Sequence, residues 1–295
     1  MLKTNESDLV QFAVQGYVRY SLCFGPEIST EGERLVVPSV GGIVYNVKIG
    51  DPISKFVGDH IEPAVSATAD RSGPQNNPSH SFNAYSCIGN TATVISGDAK
   101  GAKGTVTGRH GGVEHVIIDF PDKTLNKMAD GDKIQVRSHG IGIKLIEHPE
   151  IHVQGIDPRL LKKMGIKAMK KNALRVPVTA IAPPYLMGSG LGSVSSHTGD
   201  YDIQSSDPDA WKKAGLDKLR YGDFVALQDQ DGRIGWKYRK GCVTIGIVVH
   251  SDSYLPGHGP GVMTLLSGPQ KSILPEIKKN ANIGSYLKIG RFHKK

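Results

Sequence analysis

The dipeptide Gly-Asp occurs six times in this 295-residue chain. In the stretches MADGDKIQV and LRYGDFVAL it comes directly before alternating apolar residues. Glycine supplies the backbone dihedral that a tight turn needs, and aspartate binds nearby amides, so the pair turns the chain into a new strand. This pattern predicts a mainly β protein in which most of these aspartates are turn residues. The six pairs begin at Gly50, Gly58, Gly97, Gly131, Gly199 and Gly222.

Helical patterns are few by comparison. The strongest begins at Asp157-Pro158, an N-cap followed by proline at the first helical position, and continues through RLLKKMGIKAMKKN. Residues 206–214 predict a second short helix and residues 272–279 a third. Residues 243–250, VTIGIVVH, form a nearly continuous apolar run that fits a strand buried on both faces.

Residues 93–108, TVISGDAKGAKGTVTG, are typical of a strand, a glycine- and lysine-containing loop and a second strand. The stretch resembles the KOW motif of small SH3-like barrels in ribosomal and transcription-elongation proteins. The resemblance covers about a tenth of the chain and bears on the fold more than on function. In that family the basic loop residues and backbone amides contact RNA or protein, which implies such a role for Lys100 and Lys103.

The predicted fold class is therefore mainly β, with few short helices. We expect an N-terminal β region over residues 1–85 and a small SH3-like, KOW-type barrel over 86–150. A C-terminal β-sandwich or barrel-like domain, preceded by the basic helix, is expected over 151–270. Residues 271–295 are expected to form a basic tail.

The stretch HGGVEH, residues 110–115, carries the main catalytic candidates. Gly111-Gly112 is a hairpin signal, and strand alternation after it would place Glu114 on the same face as Val116 and Ile118. A carboxylate on an apolar face costs free energy unless it has a partner, which makes Glu114 a candidate general base beside His110 and His115. The alternative is a carboxylate that holds a neighbouring loop through backbone amides.

Several of the 11 histidines lie in tight glycine or proline settings, which fix an imidazole in place. Such imidazoles suit a divalent metal site or a proton-transfer site, and we expect His139, His250 and His258 to be metal ligands. No HxH or HExxH spacing is present, so a metal site would be assembled across the fold. For any single histidine, a structural hydrogen bond remains the alternative. The histidines in these settings are His60, His80, His139, His250 and His258.

The stretch HTGDYDIQ, followed by YGDFVALQDQDG, is similar to part of the acetamidase/formamidase family. The resemblance implies that Asp200, Asp202 and Asp223 bind substrate, and that the reaction is hydrolysis of a C–N bond in an amide. The chain departs from the family where Phe224 replaces the histidine after Gly-Asp.

Taken whole, the chain resembles a bacterial and archaeal family of unknown function that has a β-rich structure with an SH3-like middle barrel. The resemblance implies an architecture and no established activity. The stretches that carry it are CIGN, SGDAKGAKG, HGGVEHV, PPYLMGSGLG, GDYDIQ, GDFVA and HGPGV.

The net charge of +8 is concentrated in two segments. Residues 159–175 carry +7 and residues 271–295 carry +6, which leaves the rest of the chain at −5. Basic segments can hold nucleic acid through a salt-sensitive field, although solvated helix faces and tails are often equally charged. A nucleic-acid or ribosome-associated protein is thus the alternative to a small-molecule enzyme. Its expected contacts are Lys100, Lys103, Lys162, Lys163, Lys170 and Lys171.

The remaining sequence features bear on the compartment. No apolar run approaches the roughly 20 residues that span a bilayer, and the N-terminus has no secretory signal pattern. The cysteines Cys23, Cys87 and Cys242 form no CxxC pair, which suits a reducing cytoplasm and argues against a thiolate zinc cluster. We expect a cytoplasmic homo-oligomer that binds a small molecule, and the first hypothesis is a hydrolase that uses a divalent metal.

Overall fold

The computed structural model describes residues 2–72, 77–170, 172–269 and 271–293, and its fold is mainly β. The described residues of the first half of the chain contain nine strands and two helices. The strands are β1 (Phe12–Val18), β2 (Glu27–Ile28), β3 (Arg34–Leu35), β4 (Ile43–Val44), β5 (Ala64–Thr68), β6 (Thr91–Val94), β7 (Lys103–His110), β8 (His115–Asp119) and β9 (Lys133–Ser138). The helices are α1 (Pro78–Tyr85) and α2 (Asp122–Leu125).

In the second half, the part of the chain that the structure describes contains nine further strands and three helices. The strands are β10 (His152–Val153), β11 (Lys167–Ala168), β12 (Leu174–Val178), β13 (Ala180–Ala182), β14 (Tyr201–Asp202), β15 (Phe224–Asp231), β16 (Lys237–Val248), β17 (Gly261–Pro269) and β18 (Ile273–Ile277). The helices are α3 (Pro158–Lys163), α4 (Pro208–Ala214) and α5 (Ile283–Leu287). Single 3₁₀ turns lie at Glu6–Asp8, Pro184–Leu186, Leu216–Lys218 and Gly290–Phe292.

Six antiparallel strands of the first half close into a barrel. Their order is β1-β9-β6-β7-β8-β5, and β5 pairs back with β1 through Tyr17–Thr68 and Val18–Ala67. Strand β9 alternates strictly between buried and accessible residues, which directs Ile134 and Val136 into the barrel. The mainly β expectation is confirmed.

A second, six-stranded sheet, in which β10, β17, β16, β15 and β13 follow one another and β14 pairs with β17, packs against the barrel. Strand β8 is buried along its whole length, as is the last part of β7, because one side faces the barrel core and the other faces this sheet. The close approach depends on Gly108, where a Cβ atom would lie 2.9 Å from Val249. Residues 243–248 of the predicted strand lie within β16, and Val249 and His250 directly follow it.

Strands β1 and β5 come from the first 85 residues, and the other four barrel strands come from residues 86–150. The N-terminal region and the middle region thus contribute to one closed barrel. Residues 271–293 contain β18 and α5, and Arg291 forms an ion pair with Asp51, so this basic segment packs on the body of the protein.

Two helix predictions need correction. Residues 272–279 form the strand β18, because they pair in parallel with β12 from Leu174–Ile273 to Val178–Ile277. The basic helix α3 ends at Lys163, and the chain then enters β11, which pairs with β12. In both places a neighbouring strand overrides the local pattern. The helix predicted over residues 206–214 is present as α4.

Within the described residues, no helix is long and apolar enough to cross a membrane.

Asp119, at the end of β8, makes stability depend on pH. Its side chain is 6% exposed, and its Oδ2 accepts a hydrogen bond from the Gly290 amide at 3.3 Å. Burial raises the pKa of Asp119 to about 6, against the lowering influence of that amide and of Lys48. Because the folded-state pKa lies above the ordinary value, ionisation of Asp119 costs stability as the pH rises through about 6.

We therefore expect Asp119→Asn to raise the free energy of unfolding at about pH 8 by roughly 1–3 kcal/mol, and to change it little near pH 4. Urea unfolding at the two pH values measures the difference. Asp130→Asn, at an exposed position, is the control and should show no such pH dependence. An Asp119→Asn protein that gains no stability at high pH would contradict this account.

Candidate metal centre

Four imidazoles and two carboxylates gather where the β7–β8 hairpin meets the second sheet. His110 ends β7, His250 lies just beyond β16, and His258 lies in the loop that leads to β17. The ring centroids of His110 and His250 are 4.3 Å apart, and those of His60 and His250 are 4.8 Å apart. The strand β14 brings in the carboxylates. The cluster consists of His60, His110, Asp200, Asp202, His250 and His258.

One half of the cluster, here called the inner group, is His110, Asp200 and His250, all of which are buried. Each offers a ligand atom within 4.8 Å of the other two. Asp200 Oδ2 lies 2.7 Å from His250 Nε2. Asp200 Oδ1 accepts a hydrogen bond of 2.7 Å from the Gly111 amide, which ties the carboxylate to the hairpin turn.

The other half, the outer group, is His60, Asp202 and His258, and it is partly accessible. Asp202 Oδ2 lies 2.9 Å from His258 Nδ1 and 3.7 Å from His60 Nε2. The two imidazole nitrogens are 3.2 Å apart. The His258 side chain is 34% exposed, so this group forms the solvent side of the cluster.

Three of the imidazoles are held at Nδ1 by an acceptor outside the six donors. His60 Nδ1 lies 2.5 Å from Asp59 Oδ2, His110 Nδ1 lies 2.7 Å from Glu62 Oε1, and His250 Nδ1 lies 2.9 Å from the Ser251 carbonyl oxygen. An acceptor at Nδ1 fixes the ring and leaves Nε2 free to bind a metal, which is the usual arrangement around metal-ligating histidines. The arrangement therefore presents imidazole Nε2 atoms to the cluster.

The spacing of the donors also suits coordination. Two ligands bound about 2.1 Å from one ion are about 3.0 Å apart at a right angle and about 3.4 Å apart in a tetrahedron. Five donor pairs of the cluster are 2.7 to 3.7 Å apart, and all donor atoms of one group lie within 4.8 Å of one another. The residues present therefore fit a divalent metal ion of the size of zinc or manganese.

Four buried carboxylates surround the imidazoles, and each has a lowered pKa. Burial opposes the ionisation of Glu62, but His115 and His110 outweigh it and hold the pKa of Glu62 well below the ordinary value. Burial likewise acts against Asp200 and Asp202, and the neighbouring imidazoles lower the pKa of both. The pKa of Asp59 is also lowered, chiefly by His60 acting against burial.

The positive charge that balances these carboxylates must come from imidazolium or from a metal ion. Within the described part of the chain, no lysine or arginine forms an ion pair with any of the four. Burial lowers the pKa of His60, but hydrogen bonds to Asp202 and Asp59 raise it to about 9. The pKa of His250 is raised well above its ordinary value, because Asp200 and Asp202 outweigh its burial.

A cleft of about 340 Å³ opens onto the cluster. Its walls are largely small and polar, and they include Gly190, Ser193, Thr198 and the indole of Trp236. Gly261 keeps the base of the centre open, because a Cβ atom there would collide with Asp200 Oδ2 and His250 Nε2. The cleft has room for a small polar molecule beside the imidazoles.

Most of the sequence-predicted candidates meet in this place. His110, His250, His258, Asp200 and Asp202 all belong to the cluster. His115 lies behind it, buried, with Nδ1 2.9 Å from Glu62 Oε2. His115 therefore supports the carboxylate that orients His110.

Glu114, His139 and Asp223 lie outside the cluster. Glu114 precedes β8 in a turn with a φ of 56°, so the strand alternation assumed for it was wrong. Its carboxylate accepts a 2.9 Å hydrogen bond from Ser79 and lies 3.3 Å from Arg71 Nε. Asp223 binds Arg220 and Asn282, and the His139 backbone binds Asn90.

Five of the six lysines predicted to contact nucleic acid lie on the surface of the described structure. Lys100 and Lys103 lie in and after the loop between β6 and β7. Lys162 and Lys163 lie on α3, where Lys162 pairs with Glu6, and Lys170 is exposed beyond β11. Lys171 lies outside the described residues, and the nucleic-acid role remains a prediction.

Sequence reasoning did not select Asp59, His60 or Glu62, although all three lie in the stretch GDHIEP. His60 was noted for its setting, and Gly58-Asp59 was grouped with the turn pairs. The signal that could have identified them is the density of ionisable groups, three within four residues, ahead of the buried strand β5.

We expect Glu62→Gln to destabilise the fold by roughly 3–5 kcal/mol, because it removes a buried charge from two imidazoles at once. Glu114→Gln is the matched control. Its carboxylate is 29% exposed and pairs with an accessible Arg71, so its loss should cost less than about 1 kcal/mol. If both variants lost the same free energy of unfolding in urea at neutral pH, Glu62 would not have the stabilising role described here.

The comparisons with known proteins agree over most of the chain. The family described as domain of unknown function DUF4438 matches with its N-terminal domain at residues 27–162 and with its C-terminal domain at residues 163–287. The crystal structure of TM1086 is similar, with a TM-score of 0.91 and 44% sequence identity over 97% of this chain and 99% of the other. No curated protein matches the chain. The resemblance to a family of unknown function is thus confirmed, and the protein belongs to the DUF4438 family.

Proposed function

We propose that the inner group binds a divalent metal ion and that the protein is a metal-dependent hydrolase of a small polar molecule. The observation that carries the proposal is the anchoring of the inner rings, His110 and His250, at Nδ1, with Asp200 Oδ2 2.7 Å from His250 Nε2 and within reach of a ligand atom of His110. A histidine that serves only as a hydrogen-bonding group does not require this convergence. The proposal of a metal ion therefore rests on how the imidazole rings are held.

The donor set narrows the choice of ion. Imidazole nitrogen and carboxylate oxygen without thiolate suit Zn²⁺, Mn²⁺, Fe²⁺ or Co²⁺. They suit Ca²⁺ and Mg²⁺ less well, because those ions typically bind in all-oxygen sites. None of the three cysteines belongs to either group of donors. Cys23 is exposed, and Cys87 and Cys242 are buried elsewhere. The expected ion is a first-row transition metal held by nitrogen and oxygen.

Such an ion would lower the pKa of a bound water and polarise a carbonyl group, which are the two contributions that hydrolysis needs. The residues of this chain supply the rest. Trp236 and the small residues of the cleft bound a space next to the imidazoles, and Gly111 holds Asp200 in place by its amide. A substrate carbonyl in this cleft would lie beside the donors.

Amides are the first substrate class to test. The stretch GDYD, which carries the resemblance to amide hydrolases, supplies Asp200 and Asp202 to the cluster. In the proposed reaction the water oxygen bonds to the acyl carbon and the C–N bond breaks with its electron pair on nitrogen. The nitrogen leaves as an amine that has taken a proton from the water.

We expect the purified protein to contain about one transition-metal ion or more per chain, and His250→Ala to lose at least 10-fold in metal affinity, because it removes an inner donor. His139→Ala is the matched control, since that histidine lies outside both groups, and it should keep the metal. Elemental analysis after dialysis measures both. Equal metal content in the two variants, or none in the wild type with Zn²⁺, Mn²⁺, Fe²⁺ or Co²⁺ added, would overturn the proposal.

Activity is the second test. A panel of small amides, assayed for amine release, should show turnover that chelation abolishes and the metal restores. The Asp200→Asn variant should lose at least 100-fold in kcat/KM, because it weakens an inner ligand and the tie to Gly111. A metal-loaded protein that hydrolyses no amide, ester or phosphoester in such a panel would leave metal binding without the hydrolase role.

A further inference from the structure

We infer that the centre holds two divalent ions, one in the inner group and one in the outer group, with the Asp202 carboxylate bridging them. The inference rests on the proposed function, because it requires that the inner group bind a metal. It adds a second metal site and a bridging ligand.

The position of Asp202 is the first reason. Its two carboxylate oxygens face different groups of donors. Oδ2 lies 2.9 Å from His258 Nδ1, within the outer group, and Oδ1 lies 3.7 Å from His250 Nε2, within the inner group. A carboxylate with one oxygen toward each site is placed to join two ions about 3.5–4 Å apart, the separation found in two-metal hydrolytic centres.

The number and grouping of the donors are the second reason. Six candidate ligands exceed the four that a tetrahedral ion takes. Within each group the donor atoms lie within 4.8 Å of one another, but the six do not form one such group. The donors therefore suit two neighbouring ions, the outer with three protein ligands and the inner with three plus the bridging oxygen of Asp202. The cleft leaves room for substrate or water to complete both shells.

Charge is the third reason. Asp59, Glu62, Asp200 and Asp202 all lie against the imidazoles, and within the described residues none of these four carboxylates pairs with a lysine or arginine, so four negative charges need a counter-charge here. With neutral imidazoles, one divalent ion leaves two of these charges uncompensated in a buried region, and two divalent ions balance all four. The total charge of the four carboxylates thus matches that of two divalent ions.

The two sites differ in access to solvent. The inner donors are buried, whereas the His258 side chain is 34% exposed and His60 lies at the cleft. We therefore expect the outer ion to exchange faster and to bind at least 10-fold more weakly than the inner ion. Mild chelation should remove it first.

Manganese provides the probe, because an isolated Mn²⁺ gives a six-line EPR spectrum and a carboxylate-bridged pair gives a spin-coupled one. The metal-free protein is titrated with Mn²⁺. We expect uptake of two ions per chain in two steps, with the six-line spectrum of the bound first ion converting to the coupled spectrum in the second step.

His258→Ala tests the outer site, and His258→Asn is the second variant should the first not fold, since circular dichroism reports folding independently. Each should bind one Mn²⁺ per chain with an uncoupled spectrum. His139→Ala is the control and should behave as the wild type. Loss of coupling in the His258 variants together with the loss of one ion supports the inference.

The outcomes that overturn the inference are distinct. One ion per chain in the wild type, at saturating Mn²⁺, removes the second site and leaves the proposed function intact. Two bound ions without spin coupling would show that Asp202 does not bridge them. No bound ion in the wild type removes both the pair and the proposed function.

Discussion

The buried contact between Glu62 and two imidazoles is the interaction on which the rest of the centre depends. Glu62 precedes β5, and His110 and His115 flank the turn of the β7–β8 hairpin, so one carboxylate joins adjacent strands of the barrel. It also accepts hydrogen bonds from the Gly41 amide and the Ser66 hydroxyl. Because every neighbour of Glu62 donates to it, the carboxylate stays ionised and fixes the orientation of His110.

The centre lies at the seam between the barrel and the second sheet, and both contribute donors. The barrel side supplies His60 and His110, and the sheet side supplies Asp200, Asp202, His250 and His258. Gly108 permits the two surfaces to approach closely enough for these side chains to meet. His110 and Asp202 lie at the ends of strands β7 and β14, and His250 directly follows β16, so these strands position their donors, which lowers the cost of ordering them around an ion.

Much of the fold class could be predicted from turn chemistry, because Gly-Asp pairs and alternating strands are local features. The assembly of the centre could not. Gly58-Asp59 looks like Gly131-Asp132 in sequence, yet Asp59 binds His60, whereas Asp132 accepts from the Ala129 amide as a turn residue does. Glu114 does not lie on the predicted face of the strand, because it is the last residue of the four-residue turn after His110 and has a positive φ. In each case a partner distant in sequence, or the closure of a turn, decides the outcome.

The most direct measurement is anomalous diffraction from crystals of the protein grown with Mn²⁺ or Zn²⁺, with data collected above and below the absorption edge of the metal. The account predicts an anomalous peak about 2.0–2.3 Å from His250 Nε2, His110 Nε2 and a carboxylate oxygen of Asp200. Metal bound only at surface residues, with His250 Nε2 still paired directly to Asp200, would contradict it.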